Sequence, residues 1–170
     1  NIEKIQDRFL AVQMEKSSNQ FSLNSYELLD YQPNRYPYLM IDFVTCVEPG
    51  KFAHGYKNLS NNEWFFPKHF PGHPNFPGAL QLEALAQMLT VAITTLEGNK
   101  GKITYAISHK INLKREVFPG EKFDIKTEVV SWKRGICKGN GQGYVGEQLA
   151  CEAEMVITIP EILESFLPRK

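Results

Sequence analysis

The segment from His69 to Gln87, HFPGHPNFPGALQLEALAQ, combines residue types that can move protons. His69 opens the segment, and Glu83 lies fourteen positions later inside a run of helix-forming residues. A histidine titrates near neutral pH and a shielded carboxyl group can be held protonated, so the two can serve as general base and general acid. This spacing does not establish a contact within one chain, and the acid–base pair is a hypothesis for this segment.

Glu83 stands in a helical run that is apolar on almost every side. The apolar positions are Leu80, Leu82, Leu85, Met88, Leu89, Val91, Ile93 and Leu96. Such a helix is typically buried, and an ionised carboxylate is costly to bury unless it is paired or hydrogen-bonded. We therefore expect Glu83 to be buried for a chemical reason, with Gln87 one turn later holding its carboxyl group. The alternative is an exposed strip on a partly covered helix.

The chain between His69 and the helix is expected to be an ordered loop. Three prolines, Pro71, Pro74 and Pro77, remove backbone donors and favour extended angles in the residues before them. The helix then begins at Gly78, where free N–H groups can stabilise negative charge that develops on a carbonyl oxygen. Base, backbone donor and acid would all come from one segment. The alternative for His69 is a loop histidine bonded to a backbone carbonyl.

The bulk composition limits the class of protein. The 170 residues fit one domain, and 19 basic residues balance 19 acidic ones, which gives no global field for nucleic acid or an anionic membrane. Three cysteines without C-x-x-C spacing indicate neither a disulfide framework nor a zinc site. Neither a membrane span nor a signal peptide is visible, so we expect a cytoplasmic protein that needs no metal.

The periodicity along the chain predicts an α+β fold in which one antiparallel sheet wraps one long helix. We expect an N-terminal helix with Ile2, Ile5, Phe9 and Val12 on one face, followed by a short helix capped by Ser25. Strands over 39–47 and 54–59 then flank the turn EPGK. A helix over 79–96, stopped by Gly98, and three or four long strands complete the expected order. The turns FPGEK and KGNGQG are expected to separate those last strands. The final EILESFLPRK is either a packed amphipathic tail or a frayed end.

Three stretches, HFPGHPNFPGALQLEALAQM, NRYPYLMIDFV and LKREVFPGEKF, closely resemble the FabZ-type 3-hydroxyacyl-acyl carrier protein dehydratases of bacterial fatty acid synthesis. The resemblance runs from Tyr26 to Pro160. It implies the hot dog fold, with a long central helix wrapped by a highly curved antiparallel sheet. The chain then divides into an N-terminal helical extension (1–25), the hot dog domain (26–160) and a C-terminal tail (161–170). It further implies a homodimer with sheets joined edge to edge, or three such dimers in a hexamer.

The resemblance also implies roles for individual residues. His69 would be the base, Glu83 of the partner subunit the acid, and Gly78 N–H the donor to the thioester carbonyl. Gln87 would orient the acid, and no cofactor would be needed. Aromatic residues either line an acyl tunnel or belong to the core, and these are Phe66, Phe70, Phe76 and Tyr105. Basic residues either form a patch for acyl carrier protein or are simply solvated, and these are Lys68, Lys110, Lys114, Arg115, Lys133, Arg134 and Lys138.

Departures from the family pattern leave acyl chain length and pathway open. Asn34 stands where a histidine is common, Phe43 replaces an arginine, and Asn75 and Phe76 replace small apolar residues. A paralogue outside bulk fatty acid synthesis, a hot dog thioesterase and a non-catalytic acyl-binding module are the alternatives. Glu83 argues against the dehydratase-isomerase type, which carries aspartate there. Of the other histidines, His73 is expected to be structural, and His54 and His109 to be ordinary strand or surface residues.

Overall fold

The computed structural model describes residues 19–168, so the helix expected near Ile2 to Val12 lies outside the described residues. Within this range seven strands and three helices are present. The strands are β1 (Phe21–Leu23), β2 (Phe43–Glu48), β3 (Phe52–Asn58), β4 (Tyr105–Leu113), β5 (Lys122–Lys133), β6 (Ile136–Val145) and β7 (Gln148–Thr158). The helices are α1 (Ser25–Leu28), α2 (Gly78–Thr94) and α3 (Pro160–Glu164).

All seven strands belong to one antiparallel sheet in the order β1-β2-β3-β5-β6-β7-β4. The sheet curls around α2, which packs against every strand from β2 to β7. This is the hot dog fold, and the predicted helix wrapped by an antiparallel sheet is confirmed. Among residues 19–168, no helix combines the length and the apolar character that a bilayer crossing demands.

The core lies between α2 and the inner face of the sheet. Leu85, Met88, Leu89 and Ile93 of the helix have no exposed surface, and Phe123 of β5 closes the opposite side. Burying a side chain of this size contributes about 1.5–3 kcal/mol relative to leaving it in water. The predicted burial of this helix is therefore confirmed for most of its length, and it fixes the position of everything that α2 carries.

The predicted turn KGNGQG is wrong, because these residues belong to strand β6. Gly139, Gly141 and Gly143 alternate along the strand on its buried face. A Cβ on Gly139 would lie 2.5 Å from Cδ1 of Leu89 in α2, and a Cβ on Gly143 would lie 2.1 Å from the Phe123 ring in β5. Glycine is used here because it lets the helix approach the sheet closely. The actual reversal between β5 and β6 lies at Arg134 and Gly135, whose φ angles are 51° and 80°.

Two helix boundaries also differ from prediction. Asn24, not Ser25, caps α1. Its side chain accepts hydrogen bonds from the N–H groups of Tyr26 and Glu27, and its own N–H donates to the Glu27 carboxylate. Helix α2 ends at Thr94, four residues before Gly98. The threonines supply the reason, because the hydroxyl groups of the last turn bond back to carbonyls of the same helix.

Within residues 19–168, strand β4 forms one edge of the sheet and pairs with β7 alone. Its side chains are almost all exposed, and Tyr105, Ile107 and Leu113 each leave more than half of their surface in water. An exposed edge strand with large apolar side chains is a site prepared for pairing with another strand. At the C-terminus, α3 is a single helical turn, and Phe166 beyond it is exposed.

Candidate active site

Glu83 points into a cleft of about 440 Å³ beside the edge strand β4. Four parts of the chain line this cleft: the loop before β2, one side of α2, the segment that leads into β4, and Ile157 of β7. The lining residues include Asn34, Tyr38, Ala86, Gln87, Thr90, Ile103 and Tyr105. A carboxyl group therefore lies in an elongated cleft with both polar and apolar walls, which suits a ligand that has a reactive polar end.

Two amide groups donate hydrogen bonds to the same carboxylate oxygen of Glu83. Gln87 Nε2 lies 2.7 Å from Oε1, and Asn34 Nδ2 lies 3.2 Å from that atom. Gln87 is itself fixed, since it also donates to the Tyr38 carbonyl and accepts from Met40 N–H, both at 2.8 Å. The expected contact between Gln87 and Glu83 is thus present, and its orienting role stays a prediction.

Glu83 is only half-buried in the single protomer, so the expectation of a buried acid is wrong at this level. The reason is geometric: the sheet ends at β4 and leaves a strip of α2 at Leu82, Glu83 and Ala86 partly open. The carboxylate still acts on its surroundings. Its negative charge, together with partial burial, raises the pKa of the Tyr38 phenol, which lines the same cleft.

His69 is held by backbone hydrogen bonds on both sides in the Pro-rich loop. Its N–H donates to the Phe65 carbonyl and its own carbonyl accepts from Asn75 N–H, each at 2.9 Å. The ring atom Nδ1 lies 3.2 Å from the Asn75 carbonyl oxygen, an atom that can only accept. In the neutral imidazole Nδ1 therefore carries the hydrogen, and Nε2 keeps the free lone pair of a base. The ring stacks on Phe70 at 4.1 Å between centroids.

Helix α2 begins at Gly78 without any side-chain cap. The N–H groups of Leu80 and Gln81 both bond to the Pro77 carbonyl, which leaves Gly78 and Ala79 as the first-turn donors with no partner among the described residues. A Cβ on Gly78 would lie 2.5 Å from Cδ1 of Leu113, at the end of β4. The Leu113 side chain of the edge strand therefore packs directly against Gly78, and the free donors lie beside that edge.

One protomer does not assemble all the expected site residues. The cleft brings Glu83, Gln87 and Tyr105 together, whereas His69 is not among the residues that line it, within the described chain. His69 instead lies in the loop that precedes α2, against Phe70 and Asn75. The Glu83 cleft of one protomer therefore does not include His69 among its lining residues.

The other aromatic candidates separate into core and surface. Phe76 is 1% exposed and packs against Phe65 and Phe123, and Phe66 is buried as well. Phe70 and Tyr105 are mostly exposed, and of these four candidates only Tyr105 lines the Glu83 cleft. Their part in an acyl tunnel stays a prediction, with Tyr105 the best placed.

The remaining candidates have local partners. His73 Nε2 lies 2.8 Å from the Glu116 carboxylate on the surface. Lys114 pairs with Glu152 at 3.0 Å, and Arg115 pairs with Glu121 at 2.7 Å, so part of the proposed basic patch is neutralised locally. Among residues 19–168 no group of three or more histidine, cysteine or acidic side chains is arranged to hold a metal ion.

Sequence reasoning missed the residues that surround Glu83 from outside its helix. Asn34, Tyr38 and the Met40 N–H lie 43–49 positions before it in the chain, in a segment with no regular structure. Their contacts depend on how the loop crosses α2, for which the local pattern holds no signal. The only available indication was Asn34 itself, which departs from the residue usual in similar sequences.

Comparisons with known proteins agree with this geometry. The family described as FabA-like domain matches residues 32–154. A 3-hydroxyacyl-(acyl-carrier-protein) dehydratase FabZ from Clostridioides difficile (strain 630) is 42% identical over 140 residues, which cover 82% of this chain and 99% of that protein. The protein of the same name from Moorella thermoacetica (strain ATCC 39073 / JCM 9320) is 41% identical over 133 residues, which cover 78% of this chain and 93% of that protein.

Solved structures with little sequence identity share the fold. A chain of the dehydratase heterocomplex ApeI:P from Xenorhabdus doucetiae superposes with a TM-score of 0.69 at 13% identity, covering 84% of this chain and 97% of that one. A hypothetical thioesterase from Streptococcus pneumoniae TIGR4, solved with coenzyme A, gives a TM-score of 0.55 at 14% identity, covering 68% and 83%. At these identities the likeness concerns the fold alone.

Proposed function

This chain belongs to the FabA-like family and, within it, to the FabZ-type dehydratases, and we propose that it eliminates water from a 3-hydroxyacyl thioester on acyl carrier protein. The product is the trans-2-enoyl thioester. The observation that carries the proposal is the Glu83 carboxyl group, oriented by two amides inside a cleft. The FabZ relatives are named for this reaction and match most of the chain.

The base is His69. Nε2 takes the proton from C2 of the substrate, and the electron pair of that C–H bond becomes the new C2–C3 double bond. The Nδ1 hydrogen bond to the Asn75 carbonyl supports this step, because it fixes the tautomer and stabilises the imidazolium that forms. Positioning of this kind makes general base catalysis effective without a metal.

The acid is Glu83. The C3–O bond breaks as Glu83 gives a proton to the departing hydroxyl group, which leaves as water rather than as hydroxide. The proton gained by His69 and the proton lost by Glu83 then balance through exchange with solvent. A half-buried carboxyl group that lines a cleft suits this role, because it is both accessible to a bound substrate and held in place by the protein.

The thioester carbonyl needs a donor, since negative charge builds up on its oxygen when C2 loses a proton. The N–H of Gly78 is placed for this at the start of α2, where the helix dipole also favours negative charge. It needs no rearrangement during the reaction, because the helix already fixes it.

The complete site forms between two subunits in this proposal. Glu83 opens toward the exposed edge strand β4, and a second copy that pairs there would bring its His69 toward the cleft. Covering the apolar side chains of β4 would supply the burial that the single protomer lacks. A homodimer, assembling further into a trimer of dimers, is the expected functional form. Action in the cytoplasm is likewise a prediction, supported by three cysteines that are all free.

The experiment is a dehydration assay on purified protein with 3-hydroxyacyl thioesters of acyl carrier protein and of coenzyme A, over a range of chain lengths. We expect turnover on the carrier-bound substrates. His69→Ala and Glu83→Gln should each lower kcat by at least about 100-fold, the scale of general acid–base catalysis. His73→Ala is the matched control, because His73 belongs to the same loop but pairs with Glu116 at the surface.

The proposal fails if the purified protein turns over neither thioester in either direction. It also fails if His69→Ala and Glu83→Gln both keep a kcat within about 10-fold of the wild type. Preference for coenzyme A thioesters would retain the chemistry and overturn the carrier-protein partner. Hydrolysis of the thioester, seen as free thiol, would instead favour the thioesterase alternative.

A further inference from the structure

We propose that Asn34 is a positioning residue for the acid, which together with Gln87 saturates Oε1 of Glu83 and so makes Oε2 the oxygen that carries and delivers the proton. This inference rests on the proposed dehydratase function and deepens it. It assigns a role to a residue outside the helix and loop that hold the acid and the base. It also names the atom of Glu83 that faces the departing hydroxyl group.

The geometry is that of two donors on one acceptor atom. Gln87 Nε2 at 2.7 Å and Asn34 Nδ2 at 3.2 Å both lie against Oε1 of Glu83, and no described residue donates to Oε2. They approach from different elements, Gln87 from α2 and Asn34 from the loop before β2. The orientation of the carboxyl group is therefore defined from two directions, which a single donor cannot achieve.

A protonated carboxyl group has one carbonyl oxygen, which accepts, and one hydroxyl oxygen, which donates. The amide donors of Asn34 and Gln87 stabilise the form in which Oε1 is the carbonyl oxygen. A proton on Oε1 would point at amide hydrogens and leave both of them without an acceptor, which is unfavourable in a partly desolvated cleft. The transferable proton is consequently placed on Oε2.

The loop that carries Asn34 is itself firmly held. Gln32, which is 2% exposed, donates to the Gln87 carbonyl at 3.2 Å and accepts from Asn34 N–H at 3.3 Å. Arg35 donates to the carbonyls of Leu29, Gln32 and Asn34 at 2.7–3.0 Å. These bonds tie the loop to α2 at the same residue, Gln87, that holds the acid. The Asn34 amide is thus presented by a preformed support rather than by a free loop.

An amide donor also keeps its state over the whole working pH range. Apart from Glu83, the titratable groups that line the cleft are Tyr105 and Tyr38, and the charge of Glu83 together with partial burial raises the pKa of the Tyr38 phenol. Both donors on Oε1 are amide groups, so this donor set does not change with pH. A histidine at position 34 would itself gain or lose a proton in that range and would make the orientation of the acid depend on pH.

The test compares Asn34→Leu, which removes the donor, and Asn34→Asp, which removes it and adds a carboxylate beside Glu83, with Asn34→His, which restores an N–H donor. We expect kcat to fall about 10-fold in the first two while KM stays nearly constant, since a hydrogen bond to an ionisable group is lost. Asn34→His should recover most of the rate and add a new pH dependence between about pH 6 and 7. Asn62→Leu, an exposed loop asparagine, is the matched control.

A second readout does not depend on turnover. Infrared difference spectra between the protein and Glu83→Gln, taken at acid pH, isolate the C=O stretch of the protonated Glu83 carboxyl group. Loss of the Asn34 donor should move this band to higher frequency in Asn34→Leu, and Asn62→Leu should leave it in place. An unmoved band, or an unchanged kcat in Asn34→Leu and Asn34→Asp, overturns the inference. An inactive wild-type protein would instead refute the dehydratase function, while the spectra still decide the role of Asn34.

Discussion

Gln87 Nε2 lies 2.7 Å from Oε1 of Glu83, one helical turn further along α2. The same glutamine accepts a hydrogen bond from Met40 N–H and donates to the Tyr38 carbonyl, so it links the acid to the loop that crosses the helix. The support of the acid and the packing of the loop therefore share one side chain, and changing it should alter both rate and stability.

Gln87→Glu should separate these two effects. The new carboxylate can still accept from Met40 N–H, but it loses the donor and opposes both the Tyr38 carbonyl and Glu83. We expect kcat to fall at least about 10-fold and the free energy of unfolding to fall by about 1–3 kcal/mol. Steady-state kinetics and urea denaturation measure the two quantities. A variant with wild-type kcat would contradict the orienting role of Gln87.

Mixed dimers test whether the site is shared between subunits. His69→Ala and Glu83→Gln are each expected to be nearly inactive, but a dimer with one subunit of each kind contains one intact pair. Random reassortment makes half of the dimers mixed, so mixing should restore roughly a quarter of the wild-type rate. The measurement is activity after co-expression or after denaturation and refolding together. Absence of recovery, with dimers shown to reassort, would place both residues of each site in one chain.

The exposed edge strand predicts the route of association. Ile107→Lys puts a charge on β4 at a position that is 54% exposed in the protomer, and it should shift the protein toward monomers. Val130→Lys is the matched control, because Val130 is 61% exposed on β5, which is paired on both sides. Size-exclusion chromatography with light scattering measures whether each variant is a monomer or a dimer. A dimer that survives Ile107→Lys and is lost in Val130→Lys would point to a different interface.

The glycines of β6 should be costly to replace. A Cβ on Gly139 would lie 2.5 Å from Leu89 Cδ1 and 2.7 Å from the Glu128 carbonyl oxygen, so Gly139→Val forces α2 away from the sheet. Overpacking of this kind typically costs about 1–3 kcal/mol of unfolding free energy, measurable by urea denaturation. Lys138→Val, which faces outward on the same strand, should have little effect. Equal effects of the two substitutions would refute the close packing of helix and sheet.

Acid sensitivity of folding should depend on His54. Burial, and then the positive charge of Lys126, lowers the pKa of His54 in the folded protein. The unfolded chain therefore binds a proton near pH 6.5, whereas folded His54 stays neutral to a lower pH. The contribution of His54 to the free energy of unfolding is present above about pH 6.5 and is lost as the pH falls toward the folded pKa. His54→Gln should lose less stability than the wild type between about pH 7.5 and about pH 5.5, by denaturant titration at both pH values. Lys126→Gln should likewise reduce the loss of stability at acid pH. If the free energy of unfolding changes with pH in both variants as it does in the wild type, His54 is not the source of the acid sensitivity.

Local signals explain why much of the fold was predictable. Prolines mark the loop that holds His69, and the apolar run from Leu80 onward has the length of a helix rather than of a strand. The alternation of Phe123 and Ile125 identifies β5 in the same way. These patterns lie within one element each, so no tertiary information was needed to read them.

The failures have tertiary causes. Alternating glycines in β6 resemble a turn because glycine disfavours strands. Their presence is explained by tertiary neighbours, such as Leu89 at Gly139 and Phe123 at Gly143. The half-exposure of Glu83 follows from β4 being the edge strand, which is a property of strand order. The Asn34 donor comes from 49 residues away, and no periodicity reports a contact over that distance.

The long separation in sequence between Glu83 and the loop that supports it affects the order of events when the protein folds. A helix forms in about a microsecond from local contacts, whereas the contact between Met40 and Gln87, 47 positions apart, requires the intervening hairpin and loop to be in place. During refolding the helical circular dichroism signal should return before Asn34 and Met40 reach Glu83 and Gln87. Recovery of activity is then a late folding event. A chain in which α2 has formed, but the loop that carries Asn34 and Met40 has not yet reached the helix, has secondary structure and no activity.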